Sequence, residues 1–111
     1  MQKVTMNNIG GDVIKDNDVY KLKDNSFGNK LVLSSTFLRA NQHTNGHKHE
    51  GQEEVYQFVS GQGYMDVGEK TFLVNPGDII LIPDGDFHRV YNTSKYEDLI
   101  FICVFDGKRY H

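Results

Sequence analysis

The sequence predicts an all-β domain, either a sandwich or a small barrel. Short runs rich in β-branched and aromatic residues recur along the 111-residue chain, and clusters of Gly, Asn, Asp and Ser separate them. Beyond about the first twenty residues, no segment has the length and apolar spacing of a helix. A chain of this size encloses one hydrophobic core, so a single domain is expected.

Nine runs are predicted to be strands. Turns are expected between them, for example at Asn45-Gly46, Asn75-Pro76-Gly77-Asp78 and Asp84-Gly85-Asp86, because these residue types favour tight reversals. Short strands at this spacing are typical of a sandwich or barrel. The predicted strands are Val19–Leu22, Leu31–Leu38, His47–His49, Val55–Val59, Gly63–Val67, Lys70–Val74, Asp78–Ile82, His88–Asn92 and Leu99–Phe105.

Composition argues against several classes of partner. The net charge is −3 and the basic residues are scattered, so nucleic-acid binding is not expected. The longest apolar run, Leu99–Phe105, is far shorter than the ~20 residues of a membrane span. The N-terminus has no apolar stretch of signal-peptide length, and the single cysteine, Cys103, cannot form an internal disulfide; both favour the cytoplasm. Because Cys103 lies in an apolar run, a buried and inert thiol is expected.

His47 and His49 are the strongest candidates for a functional site. Residues i and i+2 of a strand point to the same face, so both imidazoles can converge on one point. Glu53 or Glu54 can add a carboxylate, and alternation allows only one of these neighbours to face inward. His88 lies in a second, separately patterned segment. Imidazole and carboxylate together suit iron, manganese, nickel, copper or zinc.

Two stretches of the chain resemble the paired motifs of the cupin family. The second stretch matches that family's pattern at all of its fixed positions, which are Gly77, Pro83, Gly85, His88 and Asn92. The first stretch matches at His47, His49, Glu54 and Gly61. It departs at its start, where Asn41 stands at a position at which the family has glycine; the departure touches a turn and not a ligand.

The resemblance implies a double-stranded β-helix, that is, a jelly-roll cupin barrel. A single domain would span residues 1–111, with a core at about 31–105 and an N-terminal extension at about 1–22. The six-residue interval before Gly61 selects Glu54 over Glu53. The implied cofactor is one divalent transition metal ion (Fe, Mn, Ni, Zn or Cu) in the barrel mouth, with one or two open positions. Relatives of this size commonly form homodimers, so a homodimer is expected. The implied metal ligands are His47, His49, Glu54 and His88.

Four other residues are weaker candidates for catalytic roles. Arg39 ends a predicted strand and could hold a substrate carboxylate or phosphate, or could form an ordinary surface ion pair. Asp84 and Asp86 could move protons, or could shape the turn around Gly85. Tyr56 shares the inward face of Glu54 and could be core or pocket wall. Two further histidines are weaker candidates for the site. His43 is expected in a loop or at the pocket rim, and His111 is the last residue.

The sequence and the family resemblance are consistent with two functions. The first is a metalloenzyme acting on a small polar substrate, such as a sugar-like, hydroxy-carbonyl or carboxylate compound, by isomerase or dioxygenase-type chemistry. Thiol dioxygenase chemistry is less expected, because those relatives lack the glutamate that Glu54 supplies. The second is a non-catalytic cupin that binds a small ligand on a structural or platform metal.

Overall fold

The computed structural model describes residues 3, 11–26, 30–48 and 50–107 of the chain. Within them the secondary structure consists of strands, and no helix that could cross a membrane is found. The strands, in chain order, are β1 (Asp12–Asp16), β2 (Tyr20–Asn25), β3 (Leu31–Leu38), β4 (Glu54–Ser60), β5 (Gly63–Val67), β6 (Lys70–Val74), β7 (Ile79–Ile82), β8 (His88–Asn92) and β9 (Leu99–Asp106).

The strands form two antiparallel sheets around one core. The larger sheet has the order β1-β2-β3-β9-β4-β7, and the smaller has the order β6-β5-β8. Both sheets contribute to one cluster of buried side chains, including Leu38, Phe58 and Phe101 from the first sheet and Met65 and Val90 from the second. The fold is therefore all-β, as the sequence predicts, and it is the jelly roll that the resemblance to the cupin family implies.

Strand alternation orients the side chains as predicted. Along β4, Glu54, Tyr56 and Phe58 are buried, and the residues between them point outward. Along β8, His88, Val90 and Asn92 are buried in the same way. Because successive side chains of a strand point to opposite faces, the first inward residue determines the rest of the face. Both motifs therefore turn their histidine or glutamate into the interior.

Three differences from the predicted strands lie in the first half of the chain. Strand β1 was not predicted, because its sequence is short, charged at both ends and lacks regular alternation. Strand β2 continues past the predicted Leu22 to Asn25, where it pairs with β1 and β3. Both strands extend the larger sheet beyond the predicted core. Residues 1–10, apart from Lys3, lie outside the described residues.

The third difference concerns the predicted strand His47–His49. His47 forms an isolated antiparallel bridge with His88 instead of belonging to a strand, and His49 lies outside the described residues. The pairing still brings the two motifs together, because the bridge places His47 directly opposite the first residue of β8.

Asn41 explains how the chain tolerates its departure from the glycine of the first motif. It lies in a turn with φ of 61°, the only non-glycine residue of the described ranges with positive φ. Asparagine enters this left-handed region more readily than most other residues that carry a Cβ atom. The backbone conformation for which glycine is suited is therefore retained.

Replacement of Asn41 by alanine is expected to lower the free energy of unfolding by about 1 kcal/mol, because alanine resists the left-handed region. Asn41→Gly is expected to stay within about 0.5 kcal/mol of the wild type. Urea denaturation of both variants measures the difference. Equal losses in the two variants would show that the Asn41 side chain, and not its backbone conformation, is what matters.

Candidate metal centre

A cavity of about 40 Å³ lies between the inner face of the larger sheet and the loop that contains His47. Three of the four predicted metal ligands line it: His47, Glu54 and His88. A water molecule needs roughly 10–15 Å³ of such space, so the cavity has room for a few water-sized groups. Its other walls include Ser34, Thr36, Thr44, Tyr56, Phe101 and Cys103.

His47 and His88 are held opposite each other by their own backbones. The amide of each donates to the carbonyl of the other at 2.9 Å, and the centroids of the two rings are 6.2 Å apart. The pairing joins the loop before β4 to the start of β8. Two imidazoles from distant parts of the chain therefore lie on one wall.

A hydrogen bond orients the ring of His88. Its Nδ1 lies 3.2 Å from the carbonyl oxygen of Asp86, and this contact is made if Nδ1 carries the proton and donates. The lone pair is then on Nε2. A backbone carbonyl on one ring nitrogen is a common support for a histidine that binds metal through the other. The edge of the ring packs against Tyr56, with centroids 5.7 Å apart.

Of the two adjacent glutamates at the start of β4, Glu54 faces the interior and Glu53 faces outward, as alternation predicts. Glu54 is only 3% exposed and lines the cavity, whereas Glu53 is exposed. The thiol of Cys103 on β9 donates to Oε2 of Glu54 at 3.1 Å. The predicted burial of Cys103 is confirmed, but its thiol contacts a candidate ligand and is not simply embedded among apolar side chains.

The chemical types of these donors suit a transition metal. Two neutral imidazoles and a carboxylate match the borderline ions. Among the residues that the structure describes, no lysine or arginine lines the cavity. In the same part of the chain, no three His, Cys, Asp or Glu side chains converge closely enough to hold an ion. The fourth predicted ligand, His49, lies outside it.

The structure does not bring Arg39 into the cavity. Its guanidinium pairs with the Asp16 carboxylate at 2.9 Å and donates from Nε to the carbonyl oxygen of Asn17 at 3.0 Å. Both partners belong to the end of β1 and the turn after it. Of the two interpretations made from the sequence, the surface ion pair is the one observed, and Arg39 fixes this turn to the end of β3.

The two aspartates beside Gly85 also serve local structure. The Asp84 carboxylate accepts from the Gly51 amide at 2.7 Å, which joins the loops of the two motifs. Asp86 acts through its backbone carbonyl, which orients His88. Of the weaker candidates named from the sequence, Tyr56 lines the cavity.

His43 is exposed, forms a bridge with Tyr91 and contacts the Thr44 carbonyl oxygen through Nδ1 at 2.9 Å. It is not among the residues that line the cavity. His111, the last residue of the chain, lies outside the described residues.

Several polar residues of the cavity were missed from the sequence. Ser34 and Thr36 on β3 and Thr44 in the following loop all line it. A signal was available for the first two, because alternation along β3 puts Ser34 and Thr36 on one face together with Leu38. The two hydroxyl residues interrupt what would otherwise be an apolar inward face.

The fold and the cavity define a small jelly-roll barrel whose interior carries imidazole and carboxylate groups. The family model for the cupin domain matches residues 38–105. The chain belongs to the cupin family.

Curated relatives share only part of their length with this chain. An uncharacterized protein of Methanocaldococcus jannaschii is 31% identical over 78 residues, which cover 70% of this chain and 62% of that protein. An oxalate-binding protein of Thermotoga maritima is 34% identical over 58 residues (52% and 47%). An acireductone dioxygenase of Leishmania infantum is 37% identical over 71 residues, covering 60% of this chain and 20% of that protein. The chain thus spans about half to three-fifths of the first two.

Solved structures share the fold over nearly the whole chain. TT1209 from Thermus thermophilus aligns with a TM-score of 0.83 at 21% identity, covering 98% of this chain and all of that one. The polyketide cyclase RemF from Streptomyces resistomycificus aligns with a TM-score of 0.81 at 20% identity, covering 100% of this chain and 82% of that one. At these identities the similarity shows the fold and not the activity.

Proposed function

We propose that this chain is a metal-dependent cupin enzyme that acts on a small polar compound of the hydroxy-carbonyl or carboxylate class. One observation carries the proposal: two histidines from different motifs and a buried glutamate line a single interior cavity. His47, Glu54 and His88 would hold a divalent transition metal ion, with His49 as the fourth ligand.

A bound ion of this kind supplies Lewis-acid chemistry, and redox chemistry where the metal is iron, manganese or copper. The residues of the chain would orient the metal ligands and line the site. Glu54 contributes a negative charge at a site that is shielded from solvent, and the Cys103 thiol holds one of its oxygens. The carbonyl of Asp86 keeps the His88 ring in one orientation. Tyr56 also lines the cavity, and we propose its hydroxyl as the group that exchanges a proton with a bound compound.

The relatives named as enzymes support a catalytic function over a purely structural one. One such name is acireductone dioxygenase, which makes oxygen-dependent chemistry one candidate without excluding oxygen-independent reactions. The oxalate-binding relative represents the alternative, a non-catalytic cupin that only binds a small ligand.

Metal analysis combined with a substrate screen tests the proposal. Purified protein should contain close to one transition metal ion per chain. Forms reconstituted with iron, manganese, nickel and zinc are then incubated with small hydroxy-ketones and hydroxy-acids, with and without oxygen. Oxygen consumption by the iron form indicates a dioxygenase, and turnover without oxygen indicates an isomerase. Ligand binding without turnover in every form would favour the non-catalytic alternative, and metal-free protein would contradict the proposal.

We also propose that the chain forms a homodimer through the outer face of the larger sheet. Apolar side chains continue across four strands of this face, since Leu81 pairs with Val55, Val55 with Val104, and Val104 with Leu33. Leu81 is 73% exposed, and it lies on β7, which is an edge strand. An exposed apolar edge favours self-association unless it is covered.

A second copy of the chain is the occupant that best fits this face. A two-fold axis would bury the same apolar row twice, with no complementary partner needed. The molecule measures 37 × 30 × 25 Å, so its broad face is large enough for the ~800 Å² that each partner of a stable dimer buries.

Leu81→Arg is expected to weaken self-association at least tenfold, roughly, because it would bury an unpaired charge in the interface. Leu73→Arg is the matched control, since Leu73 is 62% exposed but lies on the smaller sheet. Sedimentation equilibrium across a concentration series measures both variants. A wild-type protein that stays monomeric at micromolar concentration, or equal effects of the two changes, would rule out this interface.

A further inference from the structure

We infer that the cavity selects a small chelating ligand with at most one negative charge, recognised by hydroxyl groups of β3. This inference rests on the proposed metal centre and goes beyond it, because it names the charge of the ligand and the residues that select it. Two features carry it: the charges around the cavity and the hydroxyl groups on one wall.

The cavity offers no fixed positive charge from the described part of the chain. Its lining there contains one carboxylate, two imidazoles and otherwise neutral side chains. Arg39, the basic residue considered from the sequence, is engaged with Asp16 and does not line the cavity. An anion that enters must therefore be balanced by the metal ion.

The charge balance favours a singly charged ligand. A divalent ion brings two positive charges, and Glu54 neutralises one of them. A ligand with one negative charge brings the centre to neutrality, as does a neutral hydroxy-ketone that loses one proton on the metal. A dianion leaves an excess negative charge in a largely buried site, where uncompensated charge is costly.

One wall of the cavity carries hydroxyl groups instead of charged side chains. Ser34 and Thr36 are nearly completely buried, and both line the cavity from the inner face of β3. In the register of the sheet they lie beside Cys103 and Phe101 of β9. A hydroxyl group donates and accepts, so it suits the hydroxyl or carbonyl group of a ligand of low charge. The flanking Leu22 and Phe101 limit the space around it.

The smallest chelating compounds are the suitable probes, because the cavity is small, at about 40 Å³. Oxalate, glycolate and hydroxyacetone are three such compounds. Each offers two oxygens on adjacent carbons, and their charges are two negative, one negative and zero. The three compounds therefore vary charge while keeping the chelating geometry similar.

Titration of Co²⁺-loaded protein with these three compounds tests the inference, with calorimetry and the visible absorption of the cobalt as readouts. Aqueous Co²⁺ provides the reference, since a free divalent ion favours the dianion. The ratio of oxalate to glycolate affinity is expected to be lower than its value for the aqueous ion by roughly tenfold or more. The reason is that the site disfavours the second negative charge of oxalate. The ratio of hydroxyacetone to oxalate affinity is expected to rise relative to its value for the aqueous ion. An unchanged or larger ratio would overturn the inference.

Variants of Thr36 test the hydroxyl wall separately. Thr36→Val keeps the shape and removes the hydroxyl, and is expected to weaken glycolate binding about tenfold with unchanged metal content. Thr36→Ser keeps the hydroxyl and should remain within about threefold of the wild type. Thr71→Val, on an exposed strand of the smaller sheet, is the matched control. Equal glycolate affinity in Thr36→Val and Thr71→Val would refute the role of Thr36.

Metal content distinguishes a failure of the proposed function from a failure of this inference alone. Protein that takes up no cobalt would overturn the proposed function together with this inference. Protein that holds cobalt but keeps the aqueous preference for oxalate would overturn only the inference about ligand charge.

Discussion

Replacement of His88 by alanine is expected to reduce the affinity for the metal ion by more than roughly a hundredfold. Changes to groups that only support a ligand already cost about 10–100-fold, and the loss of a direct ligand costs more. The His88 imidazole is nearly completely buried and is held by the Asp86 carbonyl, so little else can take its place. Elemental analysis after dialysis against a weak chelator measures the loss. Glu54→Ala and His47→Ala are expected to behave in the same way.

His43→Ala is the matched control for the histidine variants. His43 is exposed, its ring packs against Tyr91, and it is not among the residues that line the cavity. It should retain the full metal content. Similar metal content in His43→Ala and His88→Ala would remove the basis for the metal centre.

His49→Ala decides the role of the fourth predicted ligand, which the described residues do not include. A loss as large as that of His47→Ala is expected if all four residues bind the ion. Wild-type metal content in His49→Ala would limit the centre to His47, Glu54 and His88.

Much of the architecture could be predicted because it depends on local patterns. Strands β3, β5, β6 and β8 have the predicted bounds, since alternating apolar residues and turn residues mark both ends. The same alternation placed Glu54, Tyr56 and Phe58 on one buried face. The choice between the two adjacent glutamates followed from the spacing to Gly61 in the cupin motif. At Gly61 φ is 88°, and a Cβ atom would lie 2.6 Å from the Asp98 carbonyl oxygen.

The remainder depended on contacts between distant segments. Arg39 is drawn to Asp16, more than twenty residues earlier, because β1 and β2 fold onto the larger sheet. Strand β1 has little alternation of its own and forms by pairing with β2. The contact between Cys103 and Glu54 depends on the register of β9 against β4, which no local pattern specifies. Local sequence therefore identified the candidate ligands better than the groups that surround them.

Asn92 has a structural role, although it belongs to the same motif as His88. Its side chain is buried and donates from Nδ2 to the carbonyl oxygens of Leu38 at 2.9 Å and Glu97 at 2.8 Å. Its Oδ1 accepts from the amide of Ser94 at 3.0 Å. One amide group thus connects the ends of β3 and β8 to the loop before β9.

Asn92→Ala is expected to lower the free energy of unfolding by about 3 kcal/mol, because it removes three hydrogen bonds and leaves a buried carbonyl without its donor. For a domain of this size the melting temperature should fall by about 10 °C or more. Thermal denaturation measures the effect, with Asn45→Ala, at an exposed position, as the control. A loss of less than about 1 kcal/mol would contradict this structural role.

Asn92→Asp separates the hydrogen bonds from the packing of the side chain. The shape is preserved, but an oxygen replaces the donor that faces Leu38 and Glu97, so acceptor meets acceptor. This variant should therefore be at least as unstable as Asn92→Ala. Because Asn92 does not line the cavity, the folded protein of either variant should keep its metal content. Stability and metal binding would then respond to different residues of one motif, Asn92 for the first and His88 for the second.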